Sequence, residues 1–453
     1  MRSKKDITNW GKYPVAEANE FVFDSETNLK KIIESSPSSP FIARGAGRCY
    51  GDASLGENIV STLHYTNILE FDPVRGEIFC EAGVTLEELI EVILPKGYFL
   101  PVTPGTKFIT VGGAVASDIH GKNHHKEGSF SAHIIYMEIY AADGKIYRAS
   151  RTENVDLFEA TCGGMGLTGI ILRVKFGLKK VESAYIKQIT ARARNLDEIF
   201  DLFEEHRSCT YSMSWIDCFQ KGSKLGRSIM YAGEHATLED LDTKKKKNPL
   251  YVPAKRKLTV PFNLPSITLN PLSIRAFNFL YYNKSPKNRH VGLVDYDTFF
   301  YPLDAILHWN RMYGKSGFVQ YQFVLPLDVS KKGLTEILTR INKRNMGSFL
   351  AVLKLFGKQD DLISFPMEGY TLALDFAVRK GLFEFLDELD KVVMDLGGRI
   401  YLSKDARMKS DFFWKSYPKI NQFAETIRKY NPSSTFASEQ SARLQLTNHY
   451  HKK

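Results

Sequence analysis

Two glycine loops, each joined to a short apolar run, constrain this chain more than any other feature. Arg44-Gly45-Ala46-Gly47-Arg48-Cys49-Tyr50-Gly51-Asp52 follows Phe41-Ile42-Ala43. Pro104-Gly105-Thr106-Lys107-Phe108-Ile109-Thr110-Val111-Gly112-Gly113 leads into Ala114-Val115-Ala116. Glycine lets backbone N–H groups close on phosphate oxygens and hold them in a nest. A dinucleotide with a pyrophosphate needs such a cradle. The cradle is not of a standard nucleotide-fold type. Gly45, Gly47 and Gly51 lack the Rossmann spacing, and no Walker A run occurs. A literal GxGxxG stands at Gly164, Gly166 and Gly169. A helix-like stretch precedes it and a strand-like one follows, the reverse of the dinucleotide fingerprint.

The rest of the chain reads as alternating strands and helices. Glu77–Val84 alternates like a half-buried strand. Thr85 and Glu88 then form a capping box, and Leu86, Leu89, Ile90, Ile93 and Leu94 share one face up to Gly97. Residues 137–147 predict a hairpin turned by Asp143-Gly144, and Ile170–Phe176 a further strand. The pattern breaks near 179–183, where a domain boundary is expected. Beyond it, 317–324 reads as a strand, 333–343 as a helix, and 349–355 and 370–376 as two strands. A helix over 382–396 and a last strand over 399–403 follow. This β-α-β-β-α-β order is that of the ferredoxin-like split unit, an antiparallel sheet with both helices on one face.

The chain is 453 residues long, enough for two or three domains. No apolar run reaches the roughly 18 residues of a membrane span. The basic stretch Met1–Asp6 is not followed by the apolar segment of a signal peptide, so a cytoplasmic location is expected. The five cysteines, Cys49, Cys80, Cys162, Cys209 and Cys218, are odd in number and form no CxxC pair, as expected of reduced thiols. The net charge of +10 favours anionic partners. Its densest run, Lys244–Lys247 with Lys255, Arg256 and Lys257, reads most simply as a solvated loop; an arm resting on anionic lipid is the functional reading. Residues 248–290 look irregular, with prolines and the aromatics Phe277, Phe279, Tyr281 and Tyr282. A plain loop and a lipid-contacting entrance both fit them.

Several polar residues stand where chemistry would need them. Asp118-Ile119-His120-Gly121-Lys122-Asn123-His124-His125 follows the second glycine loop. It lacks the spacing of a metal site and reads as cofactor or substrate contacts, with local backbone bonding the competing reading for His124 and His125. Lys354 interrupts the apolar run 349–355, and an unpaired buried ammonium shifts its pKa or finds an anionic partner. Gln320 and Gln322 share a strand face, where amides can orient sugar hydroxyls. Lys404 ends a strand and can stabilise developing negative charge; a surface ion pair with Asp405 is the plain alternative.

The segments RGAGRCYGD, TVGGAVASDIHGKNHHKEGSF, GGMGLTGI, VQYQFV, LKLFG and YLSKDAR resemble those of the FAD-dependent decaprenylphosphoryl-β-D-ribose 2-oxidases, within the vanillyl-alcohol-oxidase (PCMH) type of flavoproteins. The resemblance runs from about Trp10 to Leu444. It implies an α+β fold: a two-subdomain FAD-binding domain from residues 1–183, completed by 399–453, and a substrate domain over 184–398. It implies non-covalent FAD, because Arg48 and Cys49 stand where relatives often carry the covalently attached histidine. It implies oxidation of the ribose 2-hydroxyl of a polyprenyl-phosphoryl-β-D-ribose. A separate NAD(P)H-dependent short-chain reductase would then complete epimerisation to the arabinose donor for arabinan and cell-wall biogenesis. Peripheral attachment at the inner face of the plasma membrane is part of that expectation.

The same resemblance assigns catalysis to Lys404 and Tyr50. It assigns FAD contacts to Arg44, Gly45, Ala46, Gly47, Arg48, Tyr50, Gly105, Thr106, Thr110, Gly112, Gly113, Ser117, His120, Gly121, Asn123, Gly169, Ile170 and Tyr401. Substrate contacts fall to His120, Lys122, Trp215, Gln320, Gln322, Lys354, Ala373 and Lys404, with no metal. Ala373 replaces the cysteine of mycobacterial members, and Phe300-Tyr301-Pro302-Leu303-Asp304 stands where the family often has a Tyr before a His-Pro-Leu-Asp stretch. An FAD oxidase of a soluble sugar alcohol or aldonolactone is the alternative. A basic nucleic-acid-binding protein without cofactor is the reading these motifs oppose, and no nucleic-acid partner is expected.

Overall fold

The structure, a computed structural model, describes residues 4–447 apart from 37, 266 and 267. The start of the basic run Met1–Asp6, two residues of 248–290 and the end of the 399–453 segment thus lie outside the described residues. Two sheets form the N-terminal part. The first has four strands in the order Lys5–Thr8, Val15–Val22, Asn58–Ser61 and Phe41–Arg44, its last two pairings parallel. The second is antiparallel, in the order Ile68–Asp72, Glu77–Glu81, Ile170–Gly177, Ile134–Tyr140 and Ile146–Ala149. The helix Leu86–Ile93 carries the expected capping box and buries Leu86, Leu89, Ile90 and Ile93. Each such side chain taken from water contributes roughly 1.5–3 kcal/mol.

The third sheet has eight strands. In chain order they are β1 (Tyr185–Ala193), β2 (Tyr211–Ile216), β3 (Ser228–His235), β4 (His290–Asp295), β5 (Phe318–Pro326), β6 (Ala351–Phe356), β7 (Gly369–Ala377) and β8 (Arg399–Ile400). Across the sheet they run β4-β1-β3-β2-β6-β7-β5-β8. The second half has the expected split βαβ order, with helices α3 (Leu327–Arg344) and α4 (Leu382–Asp395) as its crossovers. The first half repeats it in mirror order, with α1 (Leu196–Glu205) and α2 (Pro271–Lys284) in the matching connections. The two units join edge to edge through Ser214–Leu353 and Trp215–Val352. Sequence reading found only one unit, because the 236–289 connection of the other hides its strand pattern.

Three local expectations change. Residues 248–290 are not all loop: Pro271 at the first turn and an Asn270 capping box start the fourteen-residue α2. Helix α3 begins at Leu327, six residues before Gly333. That glycine does not start the helix; a Cβ there would meet Leu325 and Leu396, so it lets the helix lie close on the sheet. The last strand is only two residues long, and Leu402–Lys404 turn as a 3-10 helix. Because β8 pairs with β5, the chain leaves this sheet after Ile400 rather than at 398.

Period-two alternation divides the faces of the second half-sheet. Tyr321, Phe323, Leu353, Leu355, Leu372 and Leu374 pack with Leu334, Ile337, Leu386 and Leu389 in one core. Gln320, Gln322, Val352, Lys354 and Ala373 take the other face. The C-terminal segment returns to the first sheet. Phe41 N–H donates to Thr435 O at 2.7 Å, and Arg443 bridges Asp52 and Asp405 at 2.8 and 2.7 Å.

Candidate active site

A cavity of about 520 Å³ runs from the two glycine loops to the open face of the large sheet. Gly45, Ala46, Gly47, Arg48, Gly105, Thr106, Thr110, Gly112 and Gly113 line its first part. A Cβ at Gly45 would run into the Thr110 hydroxyl, which itself caps the helix Val111–Ala116, so the loops touch only because Gly45 has no side chain. Among the described residues, no protein group accepts from the backbone N–H of Gly45, Ala46, Gly47, Arg48, Cys49, Gly105 or Thr106. Unpaired N–H groups on loops that line a cavity suit a pyrophosphate. The residues present therefore fit a dinucleotide cofactor.

The second part of the cavity is built by strand register. Trp215, Val352, Ala373 and Gln322 pair in one row across β2, β6, β7 and β5, and all face the cavity. Gln322 donates to His120 Nε2 at 2.9 Å. It also donates to the Thr371 hydroxyl, whose own proton goes to Phe323 O. This places the His120 proton on Nδ1, which is buried and has no partner. Burial and the nearby Lys354 hold the His120 pKa well below the usual value, so the ring is neutral, with its Nδ1–H enclosed by protein.

Three lysines face this end: Lys122, Lys354 and Lys404. Burial pushes their pKa values down to about 7, about 8 and about 7 respectively. Lys122 Nζ donates to Phe300 O at 3.2 Å, and Lys354 has no carboxylate that raises its pKa. Lys404 does not pair with Asp405, whose carboxylate is held by Arg443 and by the N–H groups of Arg407 and Met408. Its ammonium stands over the Tyr50 ring instead. The turn that carries it is fixed by Tyr50 N–H to Ser403 O at 3.0 Å and by Tyr401 Oη to Ser117 O at 2.7 Å.

Most of the expected site residues line this one cavity, Ser117, Gly121, Gly169 and Tyr401 among them. Three do not. Arg44 turns away and donates to Thr8 O at 2.9 Å beneath the loop. Asn123 donates to Pro101 O at 2.7 Å, and Ile170 packs in a core cluster with Phe41 and Tyr140. His124 and His125 bond the Gln359 side chain and Cys209 O, so both are satisfied by distant segments and not by local backbone. Sequence reading missed Asp375. It sits behind Gln320, accepts from its amide at 2.6 Å, and burial pushes its carboxyl up to about 7. Its signal was an acidic residue two positions after Ala373 on the same strand face.

A family profile described as an FAD binding domain matches residues 21–150. The decaprenylphosphoryl-β-D-ribose oxidase of Mycolicibacterium smegmatis is 37% identical over 451 residues, covering 98% of each chain. This chain belongs to that oxidase family. An uncharacterised protein from the mprA 5′ region of Streptomyces coelicolor is 33% identical over 80% of this chain and 100% of its own. Mouse L-gulonolactone oxidase is 21% identical over 86% of both chains. Membership makes the protein an FAD-dependent oxidase. The seven unpaired N–H groups of the two loops would hold the pyrophosphate of its FAD.

Proposed function

We propose that this enzyme oxidises the ribose 2-hydroxyl of a polyprenyl-phosphoryl-β-D-ribose to the 2-keto sugar. The observation that carries this reading is the pair Lys122 and Lys354 at the sheet end of the cavity, which, unlike Lys404 with Asp375 nearby, have no carboxylate acting on them. Buried ammoniums without carboxylate partners need an anion, and a sugar-linked phosphate is one. The mycobacterial relative is named for the same substrate. FAD, when bound, supplies a hydride acceptor. The protein's own groups do the rest. Lys122 and Lys354 hold the phosphate, and Gln320 and Gln322 orient the sugar, Gln322 being positioned by its bond to His120 Nε2. Lys404, with its amine form accessible near neutral pH, takes the proton from the hydroxyl as the carbon loses its hydride.

The keto product calls for a separate NAD(P)H-dependent reductase to restore a hydroxyl of opposite configuration. The lipid tail places the reaction at a membrane, in our reading as a peripheral protein on the cytoplasmic face. The test is a visible spectrum recorded anaerobically before and after a short-chain polyprenyl-phosphoryl ribose is added. Bleaching of the flavin band is expected. Bleaching by an aldonolactone and not by the phosphoryl ribose would replace this substrate with the soluble alternative.

A further inference from the structure

Residues 243–294 hold eleven Lys or Arg and no Asp or Glu, and so account for the whole +10 of the chain. Only part of that charge is neutralised locally: Lys245, Lys255, Lys257 and Arg289 pair with Asp242, Asp295, Glu87 and Glu205. Helix α2 lies within this stretch and is apolar on both sides. Ile274, Asn278 and Tyr282 are buried, and Phe277 and Tyr281 reach the cavity wall. Yet Leu272, Phe279 and Leu280 are 75%, 58% and 66% exposed. A surface helix normally turns charged residues outward; this one turns leucine and phenylalanine, flanked by Arg275 and Lys284.

The segment before α2 repeats the pattern. Leu258 and Phe262 are each 63% exposed. They run beside 306–311, through Leu258–Ile306 pairing and the bond from Leu264 N–H to Arg311 O. Trp309 of that neighbouring stretch also lines the cavity. Large apolar side chains are thus exposed on α2, which borders the cavity, and on a segment that runs beside the cavity-lining stretch of Trp309, within a stretch of one charge sign.

We infer that the outward face of α2, with Leu272, Phe279 and Leu280 at its centre and Arg275 and Lys284 on the same helix beside them, docks on an anionic lipid bilayer. Apolar side chains enter the acyl boundary while Lys and Arg meet the lipid phosphates. Charge decides for lipid over a protein partner: a protein would need a matching acidic surface, while anionic bilayers supply one everywhere. Phe277 and Tyr281, on the cavity side of the same helix, then give a prenyl chain an apolar path from bilayer to site. The inference deepens the lipid-substrate reading above and rests on it.

The experiment is co-sedimentation of the FAD-loaded full chain with phosphatidylcholine vesicles, with and without phosphatidylglycerol. Wild type is expected to sediment with the anionic vesicles only, and less so at high salt. The Phe279→Asp/Leu280→Asp variant should lose about tenfold or more of that partition, since two exposed apolar anchors are replaced by charges. It should keep its flavin and its turnover of a water-soluble short-chain substrate, because neither residue lines the cavity. No binding of wild type to anionic vesicles overturns the inference, as does equal binding by the variant. Binding to the purified reductase that depends on Phe279 and Leu280, without vesicle binding, overturns it in favour of a protein partner. Vesicle binding needs no turnover, so failure of the substrate reading would show separately, in the spectral test.

Discussion

The ammonium of Lys404 stands 3.8 Å from the centre of the Tyr50 ring, which joins the first glycine loop to the last turn of the large sheet. Both residues line the cavity, and burial holds the Lys404 pKa at about 7. Lys404→Ala should therefore lower the rate of flavin reduction by substrate roughly 10²–10⁴-fold, the usual effect of losing a positioned general base. FAD content should be unchanged, since the cradle lies in the loops. Anaerobic stopped-flow reduction measures this; near wild-type reduction would remove Lys404 from the chemistry.

The pH dependence follows from the same groups with opposite signs. In the proposed mechanism Lys404 acts as the amine, so kcat should rise with pH through about 7. Lys122 and Lys354 act as cations, so KM should climb as pH passes about 7 and about 8. The expected kcat/KM profile is a bell near neutrality. Lys354→Gln should raise KM and, by removing a charge that lowers the Lys404 pKa, move the rising limb of kcat to higher pH. A kcat that falls with rising pH would assign Lys404 the opposite protonation state.

Asp375 raises the pKa of Lys404 through its charge, against burial. Asp375→Asn keeps the size of the side chain, removes the charge, and should move the rising limb of kcat to lower pH. A purely structural role would lower activity without moving that limb. The profile thus separates positioning from folding.

How much of this was legible in the sequence depended on the range of the forces involved. The capping box of Thr85 and Glu88 and the alternation around Ala373 are local patterns, and the sequence displays them directly. The glycine cradle was legible because Gly45 and Gly112 stand in unusual runs. The first split unit was not, because its strands pair across a 236–289 connection whose prolines and lysines mask α2. Nor were the turned-away Arg44, Asn123 and Ile170: their partners, Thr8, Pro101 and Phe41, are supplied by tertiary packing. Asp375 reads on paper as one more strand residue, and only its burial beside Gln320 makes it chemical.

Attachment of the flavin gives a prediction that needs no kinetics. Arg48 and Cys49 occupy the loop where a histidine would form a covalent bond, and both line the cavity. Burial raises the Cys49 pKa, so its thiol is a poor nucleophile. Acid precipitation should release all of the flavin into the supernatant, leaving a colourless pellet; yellow pellets would show a covalent link.

The cradle itself can be tested at Gly45. A side chain there meets the Thr110 hydroxyl, the group that caps the helix Val111–Ala116. Overpacking of this kind costs about 1–3 kcal/mol, and here the strain falls on two cavity-lining loops that carry free N–H groups. Gly45→Ala should weaken FAD binding roughly tenfold or more, read by fluorescence of released flavin, with a smaller loss in the Tm of the apoprotein. Thr110→Ser should relieve part of the clash, because the Thr110 methyl also crowds a Cβ at Gly45 while serine keeps the capping hydroxyl. Partial recovery of FAD affinity in the Gly45→Ala/Thr110→Ser variant would establish contact between the loops as the cause. Equal loss of FAD affinity and stability in both variants would mean that Gly45 serves the fold and not the cradle.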